Sequence, residues 1–213
     1  VIQKMEISKE IATLKVIVEA VTVNTRKYKL SSEFFYNQVF EFLNNRYPKE
    51  GFVNFLSPQQ AETNKIERPD YIVRMEFFDF SVGNLTRNEK EEEVKKTVEI
   101  NIQDTTKVEY KIYSAKLKTY TDKVVSGGQL NFKIVDSNSN DLLRDNLIPG
   151  SFTWVNDYAI FAGDIEALNE KQVQITKRKV VPLPPEQDLF IEFTKPIYNQ
   201  LTGELNSFFR RYR

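Results

Sequence analysis

The stretch FKIVDSNSNDLLRDNLIPGSFTW, Phe132–Trp154, decides how the chain is read. Hydrophobic residues alternate through Phe132 and Ile134, the polar turn-formers Asp136–Asp141 follow, and hydrophobic residues then return. Two readings compete: a ring of oxygen ligands for a metal, or a hairpin corner. A calcium loop needs the pattern D-x-[DN]-x-[DN]-G-x5-E. Asp136, Asn138 and Asn140 supply the first three oxygens at the right spacing. Asp141 stands where the loop needs Gly, and Asn146-Leu147 stand where it needs Glu. The flanks carry strand grammar rather than helix grammar. The stretch is therefore expected to be a turn joining Leu130–Val135 to Asp141–Asp145 or slightly beyond, with Asn138 or Asn140 at positive φ.

Working outward, the pattern predicts β structure from Thr97 to Trp154. Val98, Ile100 and Ile102 alternate, and Val108–Thr121 interleaves Tyr and Ile with Lys. Gly127-Gly128 is expected to be a turn between strands. Neighbouring strands with one polar face imply antiparallel pairing, the polar face in water. The run Asn88–Lys96, dense in both signs of charge, is expected to be a solvated loop, the exposed ends of a hairpin, or an interaction tail.

Towards the N-terminus, Leu14–Val23 predicts one strand buried on both faces. Ser31 or Ser32 is the expected N-cap of a helix carrying Phe34, Phe35, Val39 and Phe42, with Glu33 in its first turn and Asn45 and Pro48 at its close. Gly51–Asn64 is expected to be a loop, or a short helix after Pro58. Tyr71–Val82 predicts a second strand with Tyr71, Val73, Met75 and Phe77 on one face. Towards the C-terminus, Gly163–Gln172 predicts a helix with Asp164 at its N-cap. A Pro-rich extended connector, Val180–Asp188, leads to an amphipathic helix. That helix carries Phe190, Phe193, Ile197, Leu201, Leu205, Phe208 and Tyr212, with a kink or break at Pro196. Arg210, Arg211 and Arg213 suit the negative end of its macrodipole.

Composition restricts the chemistry. With no His and no Cys among 213 residues, zinc sites of the Cys/His kind, thiol nucleophiles and a His general base are excluded. The balance of 30 Lys+Arg against 30 Asp+Glu gives no basic excess for nucleic acid. No Gly-rich phosphate loop occurs, no S-x-x-K occurs, and no apolar run approaches a membrane span. The chain starts at Val1 without an initiator Met, so a signal peptide or lipid-anchor Cys is expected upstream. Two acidic clusters remain, Asp157, Asp164 and Glu166, and Asp136, Asp141 and Asp145. Acid/base work needs carboxylates held at fixed separation in unequal environments, which proximity in sequence does not supply. Lys177-Arg178-Lys179 and FFRRYR could stack on bases, or could simply dock a helix end.

Two segments, PDYIV (Pro69–Val73) and LNFKIVDSNSNDLL (Leu130–Leu143), carry a resemblance. The chain resembles bacterial envelope domains of the curli-export lipoprotein and penicillin-binding-protein-activator type, related to the N-terminal domain of TolB. Ser139-Asn140 stands where that group has Thr-Gly, and Asn tolerates positive φ. The resemblance implies a mostly non-enzymatic envelope protein.

The expected architecture is a single α/β or α+β domain over residues 1–213. It holds a mixed, largely antiparallel sheet of five or more strands, with helices on one or both faces. The expected function is a non-enzymatic accessory module, periplasmic or outer-membrane-anchored, that binds a protein partner or self-assembles; a cytoplasmic location is the alternative. No residue is assigned as catalytic, cofactor-binding or metal-ligating, no cofactor is expected, and no nucleic acid is expected. The alternatives are a carboxylate-dependent glycan hydrolase using Asp157 and Asp164, and a nucleic-acid module, which requires Lys177, Arg178, Arg210 and Arg211 to converge.

Overall fold

A computed structural model describes residues 12–48, 51–101 and 108–212; Val1, Ile102 and Arg213 lie outside the described residues. The chain is α+β; among the described residues a six-stranded mixed sheet has four helices packed against it. The strands are β1 (Leu14–Val18), β2 (Thr22–Val23), β3 (Val53–Leu56), β4 (Tyr71–Asn101), β5 (Val108–Asp136) and β6 (Leu142–Gly163). The helices are α1 (Lys29–Arg46), α2 (Pro58–Thr63), α3 (Glu170–Thr176) and α4 (Glu186–Phe209). The sheet order is β3-β1-β4-β5-β6, with β2 paired to β4. β1 runs parallel to β3 and to β4, with Val16 opposite Phe55 and Tyr71. Only six residues join β4 to β5, and five join β5 to β6. Connections that short permit antiparallel pairing alone.

The chain divides into two compact units. The first comprises Val1–Gly83, Ser126–Phe152 and Pro185–Arg213. Its core takes alternate residues from four strands, Val16 and Val18, then Val53 and Phe55, then Val73, Met75 and Phe77, then Leu130, Phe132 and Ile134, with Ile148 of β6 beside them. Phe35, Val39 and Leu43 of α1 and Phe190, Phe193, Ile197, Leu201 and Leu205 of α4 close over them. Each such large side chain stabilises by about 1.5–3 kcal/mol relative to exposure. Beyond Phe77 the core-facing positions shift to Phe80 and Val82. Asp79, at φ 46°, sits at this change of phase, as the extra residue of a β-bulge does.

Several expectations are corrected here. Leu14–Val23 is two strands, not one, because the chain leaves β1 after Val18 and rejoins β4 at Thr22. Helix α1 starts before Ser31 and Ser32; both serines are buried inside it, and the Ser32 hydroxyl donates to the Lys29 carbonyl at 2.8 Å. A 3₁₀ turn, Arg26–Tyr28, capped by Thr25, feeds the helix instead. Phe34 is exposed, and Leu43 takes its place in the stripe. In Gly51–Asn64 the short helix after Pro58 is present, with a Ser57/Gln60 capping box. The strand β3 before it was not expected. Pro196 does not break α4, and Glu186–Asp188 form its first turn rather than the end of an extended connector. Gly127-Gly128 is no turn: both lie inside β5. A methyl group on Gly128 would stand 2.2 Å from Phe80 Cβ and 2.9 Å from Phe80 Cα. Gly128 lets β5 approach β4 closely at Phe80, and Gly127 faces the Gly150 carbonyl of β6.

The second unit comprises Asn84–Val125 and Thr153–Pro184. Its core is thin: Ala115, Leu117, Ala159, Ala167 and Leu168, flanked by Val94, Tyr113, Val173 and Ile175. Gly163–Gln172 is not one helix. A 3₁₀ turn, Ile165–Ala167, precedes α3, whose N-cap is Asn169 in a capping box with Gln172. The charged run Asn88–Lys96 is strand rather than loop or tail, a hairpin arm with its charges in pairs. Glu89 pairs with Lys118, and the Gln172 side-chain amide donates to Glu92 at 3.0 Å.

Candidate functional site

The opening stretch is a hairpin corner, and its acids are used to build it. The Asp136 carboxylate accepts from the backbone N–H groups of Asn138 (2.9 Å) and Ser139 (3.2 Å). Asn140 takes the positive φ, 62°. Asp145 lies 3.7 Å from Lys133. Among the described residues no group of three carboxylates is placed to hold a metal ion. The corner is tied to the other quoted motif: the Ser137 N–H donates to the Asp70 carbonyl at 2.9 Å. The Asp70 carboxylate in turn accepts from the Lys15 N–H at 2.7 Å. PDYIV and VDSNS therefore meet, and together with β1 they fix where β6 begins.

Among the described residues β6 is the last strand of the sheet order, with β5 as its neighbour. Pro149 lies within it, and proline is tolerated in a sheet at such an edge. From Gly150 onward the strand reads GSFTWVNDYAIFAG, with one charged residue, Asp157, and no Lys, Arg or Pro. β-Branched and aromatic residues hold it extended. In the second unit Val155 is 51% exposed, Ile160 55% and Phe161 37%, while Ala159 is buried in the core. Natural edges are blunted by short length, lysines or prolines, because a bare row of N–H and C=O groups is a template for another strand. The opposite edge, β3, is four residues long and mostly buried. β6 beyond Pro149 carries no Lys, Arg or Pro, and among the described residues no further strand pairs with it.

The other candidate residues are distributed as follows. Asp157 lies 3.9 Å from Arg178, in a groove of about 850 Å³ beside α3 lined also by Glu170 and Lys171. Asp164 is spent elsewhere: it accepts the Ser114 N–H at 3.1 Å. Glu166 sits in the 3₁₀ turn. Lys177 and Arg178 belong to the second unit and Arg210 and Arg211 to the first. Arg211 covers the rings of Phe208 (4.6 Å) and Tyr212 (4.8 Å). No helix among the described residues is long and apolar enough to cross a membrane.

Sequence reasoning missed two features. Arg87 grips Asp122 with two bonds, 2.5 and 2.8 Å, across β4 and β5. That guanidinium, outweighing burial, holds the Asp122 carboxyl below the usual carboxylate range. Asp122 is only 2% exposed. The Tyr120 and Tyr158 rings stack 4.9 Å apart in the same unit. The second missed feature is the edge itself. Its signal was available, a fourteen-residue window with one charge and no proline after Pro149.

No family model matches the chain, and no curated protein matches it. Among solved structures it is similar to a neuraminyllactose-binding hemagglutinin homolog of Helicobacter pylori, at 13% identity and TM-score 0.38, over 91% of this chain and 86% of that one. It is also similar to a Xanthomonas campestris protein of the DUF330 family, at 9% identity and TM-score 0.36, over 92% and 88%. A minor lipoprotein of Acinetobacter baumannii is similar at 8% identity and TM-score 0.26, over 91% and 94%. Likenesses at these scores carry no functional argument.

Proposed function

We propose that the chain is a non-enzymatic accessory module of the bacterial cell envelope that binds a protein partner or assembles with itself. The observation that carries the protein-binding part is the open, nearly uncharged edge of β6, where an extended segment can add to the sheet by strand pairing. The envelope part is supported by the resemblance carried by PDYIV and LNFKIVDSNSNDLL, two segments that touch through Ser137 and Asp70. The test is the native size and location of the full-length protein in its own cells. The expected result is an envelope fraction containing an assembly larger than the single chain, reduced to single-chain size by Val155→Lys. A soluble cytoplasmic protein, or one running at single-chain mass throughout, would contradict the reading.

A further inference from the structure

Resting on the protein-binding reading but using a different surface, we propose that residues 177–185 form a polyproline II ligand. Its partner is a protein whose groove is walled by aromatic rings and edged by carboxylates. The conformation follows from the sequence KRKVVPLPP. Proline holds φ at roughly −65°, and a residue before proline is pushed out of the helical region. Val181, Pro182, Leu183, Pro184 and Pro185 each fall under one of these restraints. Pro185 stands at φ −56°, ψ 145°, in the polyproline II region. Residues 179–185 belong to no helix or strand. Among the described residues none hydrogen-bonds to 179–184, as a solvated polyproline II segment requires.

A polyproline II helix has three residues per turn and rises about 3.1 Å per residue. Lys179, Pro182 and Pro185 therefore line one edge at intervals of about 9 Å, and Val180 and Leu183 line the next. Val180 is 62% exposed and Leu183 47%; Pro184 alone among residues 177–185 is partly buried. A spacer needs the stiffness of the prolines, but not aliphatic side chains left in water beside three cations. An aromatic-lined groove takes up both edges, and a ligand already held extended loses little freedom on docking. Charge fixes the rim of that groove. Arg178 has Asp157 at 3.9 Å, whereas among the described residues no carboxylate pairs with Lys177 or Lys179. Downstream, Glu186 is already held by Lys27 and Tyr28, so it does not offset them. The two free ammonium groups call for carboxylates where the N-terminal end of the ligand lies. A nucleic acid or an anionic membrane would use the lysines and leave Val180, Pro182 and Leu183 without a role.

The experiment has two arms, both on the full chain. In the first, an SH3 domain that takes basic-x-x-P-x-x-P ligands is the probe, titrated calorimetrically into the purified protein. Wild type is expected to bind it one to one. Pro182→Ala and Lys179→Glu should each raise the Kd at least about tenfold. The Lys179→Glu loss should shrink at high salt, where surface charges are screened. Both positions are exposed, so far-UV circular dichroism and urea midpoints should match wild type, and Lys179→Glu leaves the backbone restraints untouched. No binding, or binding indifferent to both changes, overturns the proposal. In the second arm a photo-crosslinking residue replaces Leu183 in cells making the full-length protein, and the far end of each adduct is mapped by mass spectrometry. An adduct to another protein, within a groove lined by aromatic and acidic side chains and lost with Pro182→Ala, supports the proposal. An adduct to a second copy, an adduct mapping to any other kind of surface, or no adduct overturns it. None of these outcomes touches the β6 edge, so the broader reading stands or falls on its own Val155→Lys test.

Discussion

Gly128→Ala tests whether the glycine pair in β5 serves close packing. The new Cβ would lie 2.2 Å from Phe80 Cβ and 2.9 Å from Phe80 Cα. Carbons in ordinary contact sit about 3.5–4.0 Å apart, so β4 and β5 must part locally by roughly 1.5 Å. Phe80 has little room to yield, because its ring is packed against Tyr28, Phe190 and Phe193. Overpacking of this kind costs about 3 kcal/mol at the upper end of its range. The reduced freedom of the unfolded chain returns about 0.5–1 kcal/mol. The net expectation is a loss of about 2 kcal/mol, or about 4–8 °C in Tm for a chain of this size. Urea unfolding followed by far-UV circular dichroism measures it. Gly203→Ala is the control: nothing lies within 4 Å of that position on α4, so alanine there should stabilise by about 0.5–1 kcal/mol. If Gly128→Ala stays within about 0.5 kcal/mol of wild type, the pair occupies an open turn and the packing argument fails.

Acid should weaken the Arg87–Asp122 pair. The Asp122 carboxyl titrates below its ordinary range in the folded chain, so the pair's contribution is full above the unfolded value near about pH 4. It disappears as pH falls through the lower folded value. A Tm–pH profile should accordingly be flatter on its acid side for Asp122→Asn than for wild type; parallel profiles would contradict this. At the alkaline end, burial and the 2.8 Å hydrogen bond with Tyr212 push the Tyr71 phenol up to about 12. The unfolded chain then loses that proton first, and stability falls as pH rises from the ordinary tyrosine value of about 10 through the folded one. Tyr71→Phe should lessen that fall, and an unchanged alkaline slope would refute the assignment. Phe193→Ala, at a fully buried position of α4, should cost about 3–5 kcal/mol; a loss below about 1 kcal/mol in the same urea assay would mean that α4 does not close the core.

The legible parts of the fold were those with unambiguous period. Tyr71, Val73, Met75 and Phe77 alternate strictly, and Phe190 to Phe208 recur at helical spacing; both patterns mark faces that bury in one core. The corner at Asn140 was legible because the polar run Asp136–Asp141 between hydrophobic flanks leaves few other conformations. What misled was chemistry with two uses. Gly127-Gly128 serves a turn or a close approach equally well, and only the position of Phe80 decides. Ser31 and Ser32 look like caps, yet a serine hydroxyl also returns to a carbonyl inside a helix. For the charged run Asn88–Lys96 a loop, hairpin ends or a tail stayed open, because beside the local pairs Lys90–Glu92 and Glu93–Lys95 its other partners, Lys118 and Gln172, lie far along the chain. The β6 edge was missed for a different reason: the β pattern was read only as far as Trp154, whereas β6 runs on to Gly163, and sheet order rather than composition places it outermost.

Amide hydrogen exchange along β6 tests the open edge most directly. In Thr153–Gly163, alternate amides bond to β5 and the rest point outward. The account predicts that the outward set exchanges freely in dilute protein, while the inward set stays protected. Outward amides protected as strongly as the inward set would contradict it.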